Sequence, residues 1–113
     1  MSFADQKCVP CRGGVSPMEG HAAEALLREL GEGWQLNADG HLERSYKFKN
    51  FREAMAFANQ VAEIAEREDH HPDFHIGWGH CKLEVWTHKI GGLTESDFYF
   101  AAKADRAFTE LST

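Results

Sequence analysis

Basic residues are scarce. Twelve Lys and Arg stand against eighteen Asp and Glu, a net charge of −6 with histidines neutral. Phosphate contacts need clustered positive side chains, so direct nucleic-acid binding through a general basic surface is excluded. Long apolar runs are also missing: none approaches the ~20 residues of a membrane helix. The opening "MSFADQKCVPC" lacks the apolar stretch of a secretory signal. The expected location is therefore cytoplasmic, where three cysteines would be mostly reduced. The 113 residues suffice for one domain and not for two. One modest core follows, which oligomerisation would naturally supplement.

The spacing of what is present predicts an α+β fold. Residues 1–15, with "CVPCRGG", read as a flexible N-terminal arm without periodicity, and a single domain is expected over 16–113. "SPME" is a capping box, with Ser16 as cap, Pro17 in the first turn and Glu19 closing the box. Ala22, Leu26, Leu27 and Leu30 give the first helix its stripe, and Gly31 and Gly33 end it. "NADG" separates two short strands, with Leu42, Tyr46 and Phe48 on one face of the second. Asn50 and Glu53 cap a long helix whose stripe is Phe51, Met55, Ala58, Val61, Ala62 and Ala65. That helix is expected to run into "EREDHH" and to stop at Pro72.

A second hairpin follows in "FHIGWGHCKLEVWTH", turning between Gly77 and Gly79. Cys81, Leu83 and Val85 alternate there with Lys82, Glu84 and Trp86. Thr94, with Asp97 three residues on, caps a last helix carrying Phe98, Ala101, Ala102, Ala104 and Phe108. The order helix, hairpin, helix, hairpin, helix predicts a four-stranded, mostly antiparallel sheet with three helices on one face.

Histidine is the unusual feature. Three of the seven fall within "EREDHHPDFH" at 66–75, and His80 and His88 follow closely. A metal would want ligands converging from spaced positions, but neighbours on a helix point about 100° apart. The "CVPC" pair of Cys8 and Cys11 has zinc spacing with no second pair in that arm. No metal site is expected, and the two thiols read as part of a solvated, reduced arm. His70 and His71 at a helix C-terminus also suit the macrodipole without any further role.

Proton transfer is the third reading. Imidazole exchanges protons near neutral pH, and two such groups facing one pocket supply an acid and a base. Glu66, four residues before His70, is placed to hold that ring and favour its charged form. His88 ends the last strand and can approach from the sheet. Asp97 could orient a ligand or a histidine, or serve only as an N-terminal helix charge.

These residues carry a resemblance. "E-x-x-D-H-H-P" from Glu66 to Pro72 and "T-H-x-x-G-G-L-T-x-x-D" from Thr87 to Asp97 resemble pterin-4a-carbinolamine dehydratases. Gly33-Trp34, an aromatic-Lys-Phe run around Lys47 and the Ala-Ala-Lys after Asp97 extend the similarity from about Ser16 to Phe108. The resemblance implies loss of water from a 4a-hydroxytetrahydropterin to give quinonoid dihydropterin, without metal, nucleotide or redox cofactor. It implies acid and base roles for His70 and His88, undivided between them, and a substrate-positioning role for His71. It implies support from Glu66, Asp69 and Asp97. Pro72 and Thr87 match positions beside the bound pterin; "PDFHIGW" departs from the family pattern at Phe74 and His75, where Phe74 can still form an apolar wall of the substrate site. Trp86 shares strand parity with His88 and either lines the site or packs in a subunit interface. His21, His41, His75 and His80 are expected to be exposed without a role, and Cys81 to be a buried small hydrophobe. The family further implies a homodimer or homotetramer and a functional link to an aromatic amino acid hydroxylase. Its members also include protein-binding, assembly and coactivator modules, which is the alternative function.

Overall fold

The structure, a computed structural model, describes residues 3–8 and 18–112. Its helices are α1 (Gly20–Leu30), α2 (Phe51–Glu68) and α3 (Glu95–Ser112). Its strands are β1 (Gln35–Leu36), β2 (Leu42–Lys47), β3 (Asp73–Gly77) and β4 (His80–Val85). The four strands form one sheet in the order β1-β2-β4-β3, with every pairing antiparallel. The α+β expectation holds. No described helix is long and apolar enough to cross a membrane.

Strand parity divides the sheet. Leu42 pairs with Val85 and Tyr46 with Cys81, and these side chains are buried under the helices with Leu83. Glu43, Ser45, Lys82 and Glu84 occupy the opposite face. α2 packs across β3 and β4, α3 lies beside α2, and α1 packs on α3.

One polar knot ties these layers together. Asp105 on α3 accepts from Trp34 Nε1 at 3.0 Å, Arg44 at 2.8 Å and the Tyr46 hydroxyl at 2.5 Å. The Arg44 guanidinium also lies over the Tyr46 ring, 4.4 Å from its centroid. Gly33 sits beside this knot at φ +100, where a Cβ would approach the guanidinium to 2.7 Å. Only glycine meets both conditions without displacing Arg44.

Four expectations change. Glu19 is itself the N-cap residue of α1, without a side-chain capping bond, while Ser16 and Pro17 lie outside the described residues. The buried arc of α2 is Ala54, Phe57, Ala58, Val61, Ile64 and Ala65, so Phe51, Met55 and Ala62 lie off it. α2 ends at Glu68, before the histidines, because Asp69 adopts the left-handed conformation at φ 53. Finally, the expected solvated arm is docked over residues 3–8. Phe3 meets the Tyr99 ring edge at 5.6 Å, Lys103 donates to the Ala4 carbonyl at 2.7 Å, and Arg106 pairs with Asp5 at 2.8 Å. Cys8, expected in solvent, is buried, with its thiol donating to the Ser96 carbonyl at 3.5 Å. Cys11 lies outside the described residues.

Candidate active site

Two chain reversals build the site. At the end of α2 the amides of Asp69 and His70 both turn back to the Ala65 carbonyl. The left-handed residue ends the helix, and the two histidines after it reach different partners, His70 to Asp97 and His71 to Glu66. After β4, Thr87 and Gly92 form an isolated antiparallel bridge around a 3-10 turn, His88–Ile90, closed by left-handed Gly91. This loop presents His88 to solvent on the same side as the α2 terminus.

The two reversals enclose a cleft of about 230 Å³ lined by Asp69, His70, His71, Trp86, Thr87, His88 and Lys89. All three histidines singled out above are therefore brought together. Asp69, Thr87 and Trp86 are there as well.

His70 is the most constrained. Its Nε2 lies 2.6 Å from Asp97 Oδ1, and its ring sits 5.7 Å from that of Phe100. Asp97 is fully buried. Its other oxygen accepts from the Thr94 amide at 2.8 Å and from the Thr87 hydroxyl at 2.9 Å. The Thr87 hydroxyl in turn meets that of Thr94 at 3.1 Å. Asp97 thus returns to the N-terminal cap position of its own helix, the carboxylate half of a capping box, and spends its remaining oxygen on His70. With the carboxylate as acceptor, Nε2 carries the hydrogen, and Nδ1 takes no hydrogen bond among the described residues.

The support expected from Glu66 goes elsewhere. Its Oε2 lies 2.6 Å from Nε2 of His71, not of His70. An i to i+4 contact from Glu66 to His70 needs the helix to continue to residue 70, and it stops two residues earlier. Both partners of this pair are more than half exposed, so it contributes little stability.

Pro72 and Phe74, expected at the substrate site, do not line the cleft. Pro72 is buried. Phe74 pairs with Leu83 and packs against the core from the helix side of the sheet. Trp86 lines the cleft, yet both indole faces are covered, by His41 and by His88, each at a centroid distance of 4.2 Å. A flat ligand can reach only its edge. His41, expected to be exposed without a role, is instead bonded through Nδ1 to Glu84 at 2.7 Å.

Lys89 was not foreseen; its adjacency to His88 was the available signal. Cys81 is buried, as expected, and burial pushes its thiol up to about 11.

Comparisons with known proteins converge. The family model described as "Pterin 4 alpha carbinolamine dehydratase" matches residues 16–107. A Rubrobacter xylanophilus protein provisionally named pterin-4-alpha-carbinolamine dehydratase is 55% identical over 104 residues, covering 92% of this chain and 96% of that one. A Nitrosomonas europaea protein with the same provisional name is 52% identical over 106 residues, covering 94% and 93%. The crystal structure of a transcriptional coactivator/pterin dehydratase from Brucella melitensis superposes with a TM-score of 0.75 at 32% identity, covering 81% of this chain and 98% of that one. A pterin dehydratase-like protein identified as a RuBisCO assembly factor in the alpha-carboxysome shares the fold, with a TM-score of 0.58 at 19% identity over 69% of this chain and 92% of that one.

Proposed function

The chain belongs to the pterin 4 alpha carbinolamine dehydratase family, and from that premise we propose that it removes water from 4a-hydroxytetrahydropterins by histidine acid–base catalysis. One observation carries the reading: His70, His71 and His88 line a single cleft although they come from two separate chain segments.

The chemistry needs two proton movements. An acid delivers a proton to the C4a hydroxyl, which leaves as water. A base removes the proton from the adjacent ring nitrogen, and its electron pair forms the new carbon–nitrogen double bond. The product is quinonoid dihydropterin, and no redox equivalent is gained or lost. Neither metal nor cofactor is required.

His70 and His88 take the two proton-transfer roles. Asp97 fixes the orientation of the His70 ring, so that Nδ1 is its working atom. His88 works from the opposite reversal. His71 and the Trp86 edge hold the substrate, and Asp69 and Lys89 border it. Thr87 acts on Asp97 through its hydroxyl rather than on the substrate. Acid–base assistance of this kind contributes about 10²–10⁴-fold.

The test is a dehydration assay on synthetic 4a-hydroxytetrahydropterin. His70→Ala and His88→Ala should each lose about 10²–10⁴-fold in kcat. His71→Ala should show a smaller kcat loss and a higher KM. Equal rates for the wild type and both of the first two variants would overturn the assignment.

A protein-binding role can coexist. It draws support from the Brucella structure, whose description joins coactivator and dehydratase. A module that only binds proteins has no use for three histidines around one cleft, so catalysis is the primary reading.

A further inference from the structure

His88 differs from His70 in how it is held. Among the described residues its ring takes no hydrogen bond, and its ring contact is one face of Trp86, at 4.2 Å with planes 18° apart. The other Trp86 face carries His41, at 4.2 Å with planes only 4° apart. The three rings form one column.

The column has a foundation in the β1–β2 turn. His41 immediately precedes Leu42 and Trp86 immediately follows Val85, and those two residues are paired, so the rings are cross-strand neighbours. Glu84 Oε2 accepts from His41 Nδ1 at 2.7 Å and from Asn37 Nδ2 at 2.9 Å. Asn37 Oδ1 in turn accepts from the amides of Asp39 and His41, each at 3.0 Å. The turn and the ring are thus locked to each other and to β4. Asp39, His41 and Glu84 do hold potential ligand atoms within 4.8 Å of one another. Glu84 Oε2 is already occupied by two donors, one of them an amide nitrogen that would repel a cation. These bonds make the cluster a bracket for His41.

We propose that His41 is a positioning residue for the dehydration, setting the plane of His88 through Trp86. The inference rests on the acid–base reading of His88 given above. An indole stacked on one side only can rotate about its side-chain torsions, and an imidazole resting on it moves with it. Backing the indole with a ring bonded to Glu84 removes that freedom. The catalytic nitrogen of His88 is then held for the substrate by a residue that never touches it.

The experiment compares wild type, His41→Ala and His41→Phe as full-length proteins, with folding checked by circular dichroism. The first readout is the NMR position of the His88 ring protons, assigned with His88→Ala. Stacking on Trp86 shifts them upfield. The second is kcat and KM for 4a-hydroxytetrahydropterin. His41→Ala should move the His88 signals towards those of free imidazole and lower kcat by about tenfold, within the ~100-fold that a misplaced group can lose. KM should change little. His41→Phe keeps a flat ring on Trp86 and should recover most of both effects. Unmoved His88 signals in His41→Ala, or an unchanged kcat, would overturn the proposal while leaving the dehydratase reading intact. A wild type without dehydratase activity would instead remove the catalytic reading, and the resonance shifts would still decide whether His41 holds the stack.

Discussion

Asp97 Oδ1 lies 2.6 Å from His70 Nε2, although 27 residues separate them. The carboxylate is fully buried, with the Thr87 hydroxyl and the Thr94 amide on its other oxygen. With His70 in its proposed acid–base role, replacing Asp97 therefore touches catalysis and folding together. In Asp97→Asn the carboxamide presents one acceptor atom where three donors converge. The expected outcome is a kcat loss of about 10²-fold or more, since the acid–base role proposed for the histidine it orients is worth up to ~10⁴-fold. Stability should fall by about 1–3 kcal/mol, the cost of a buried donor left unsatisfied. Stopped-flow kinetics and thermal melts measure the two effects separately. A variant with full kcat would show that His70 needs no anchor.

Asp69 makes a second prediction. It is the described non-glycine residue at positive φ, and it ends α2 immediately before His70 and His71. A β-branched side chain in that conformation is strained, so Asp69→Val should cost about 1–2 kcal/mol. Asp69→Gly relieves the strain and should melt at or above the wild-type temperature. Chemical denaturation of both variants checks this. Equal stability of the valine and glycine proteins would contradict it.

Cys8 sets a pH dependence. Burial, aided by the Glu68 carboxylate, pushes its thiol from 9 up to about 12. The folded protein therefore keeps this proton at pH values where the unfolded chain has lost it. The corresponding stability is fully present below about pH 9 and is lost as pH rises towards about 12. Native protein at pH 8 should resist alkylation at Cys8 in peptide-resolved mass spectrometry, and Cys8→Ala should flatten the alkaline limb of the stability curve. Rapid labelling of Cys8 in the native protein would refute the docked arrangement of residues 3–8.

Much of this was legible from residue spacing. Asn50 accepts from the Glu53 amide at 2.9 Å, as its capping pattern implied. The Asn37–Gly40 turn, the Gly77–Gly79 turn and the alternation of β4 follow from local rules. What failed shares one cause, the reach of those rules. α2 carries apolar side chains over a wide arc, so the sequence favoured Phe51 and Met55, whereas packing on β3 and β4 selected Phe57 and Ile64. Glu66 was matched to His70 by helical spacing, which lapses at a left-handed Asp69 that spacing cannot reveal. Asp97 was recognised as a helix cap, and its bond to His70 depends on how α3 meets the end of α2. His41 went unassigned because its partners are distant in sequence, Glu84 on β4 and Trp86 just after it.

The same carboxylate that starts α3 also holds the imidazole proposed as an acid or base, so under that proposal the opening turn of the helix is an integrity check on the active site. Fraying there would release His70 before any global melting occurred. Amide hydrogen exchange at Thr94, whose proton is bound by Asp97, should consequently report the fraction of molecules competent to react.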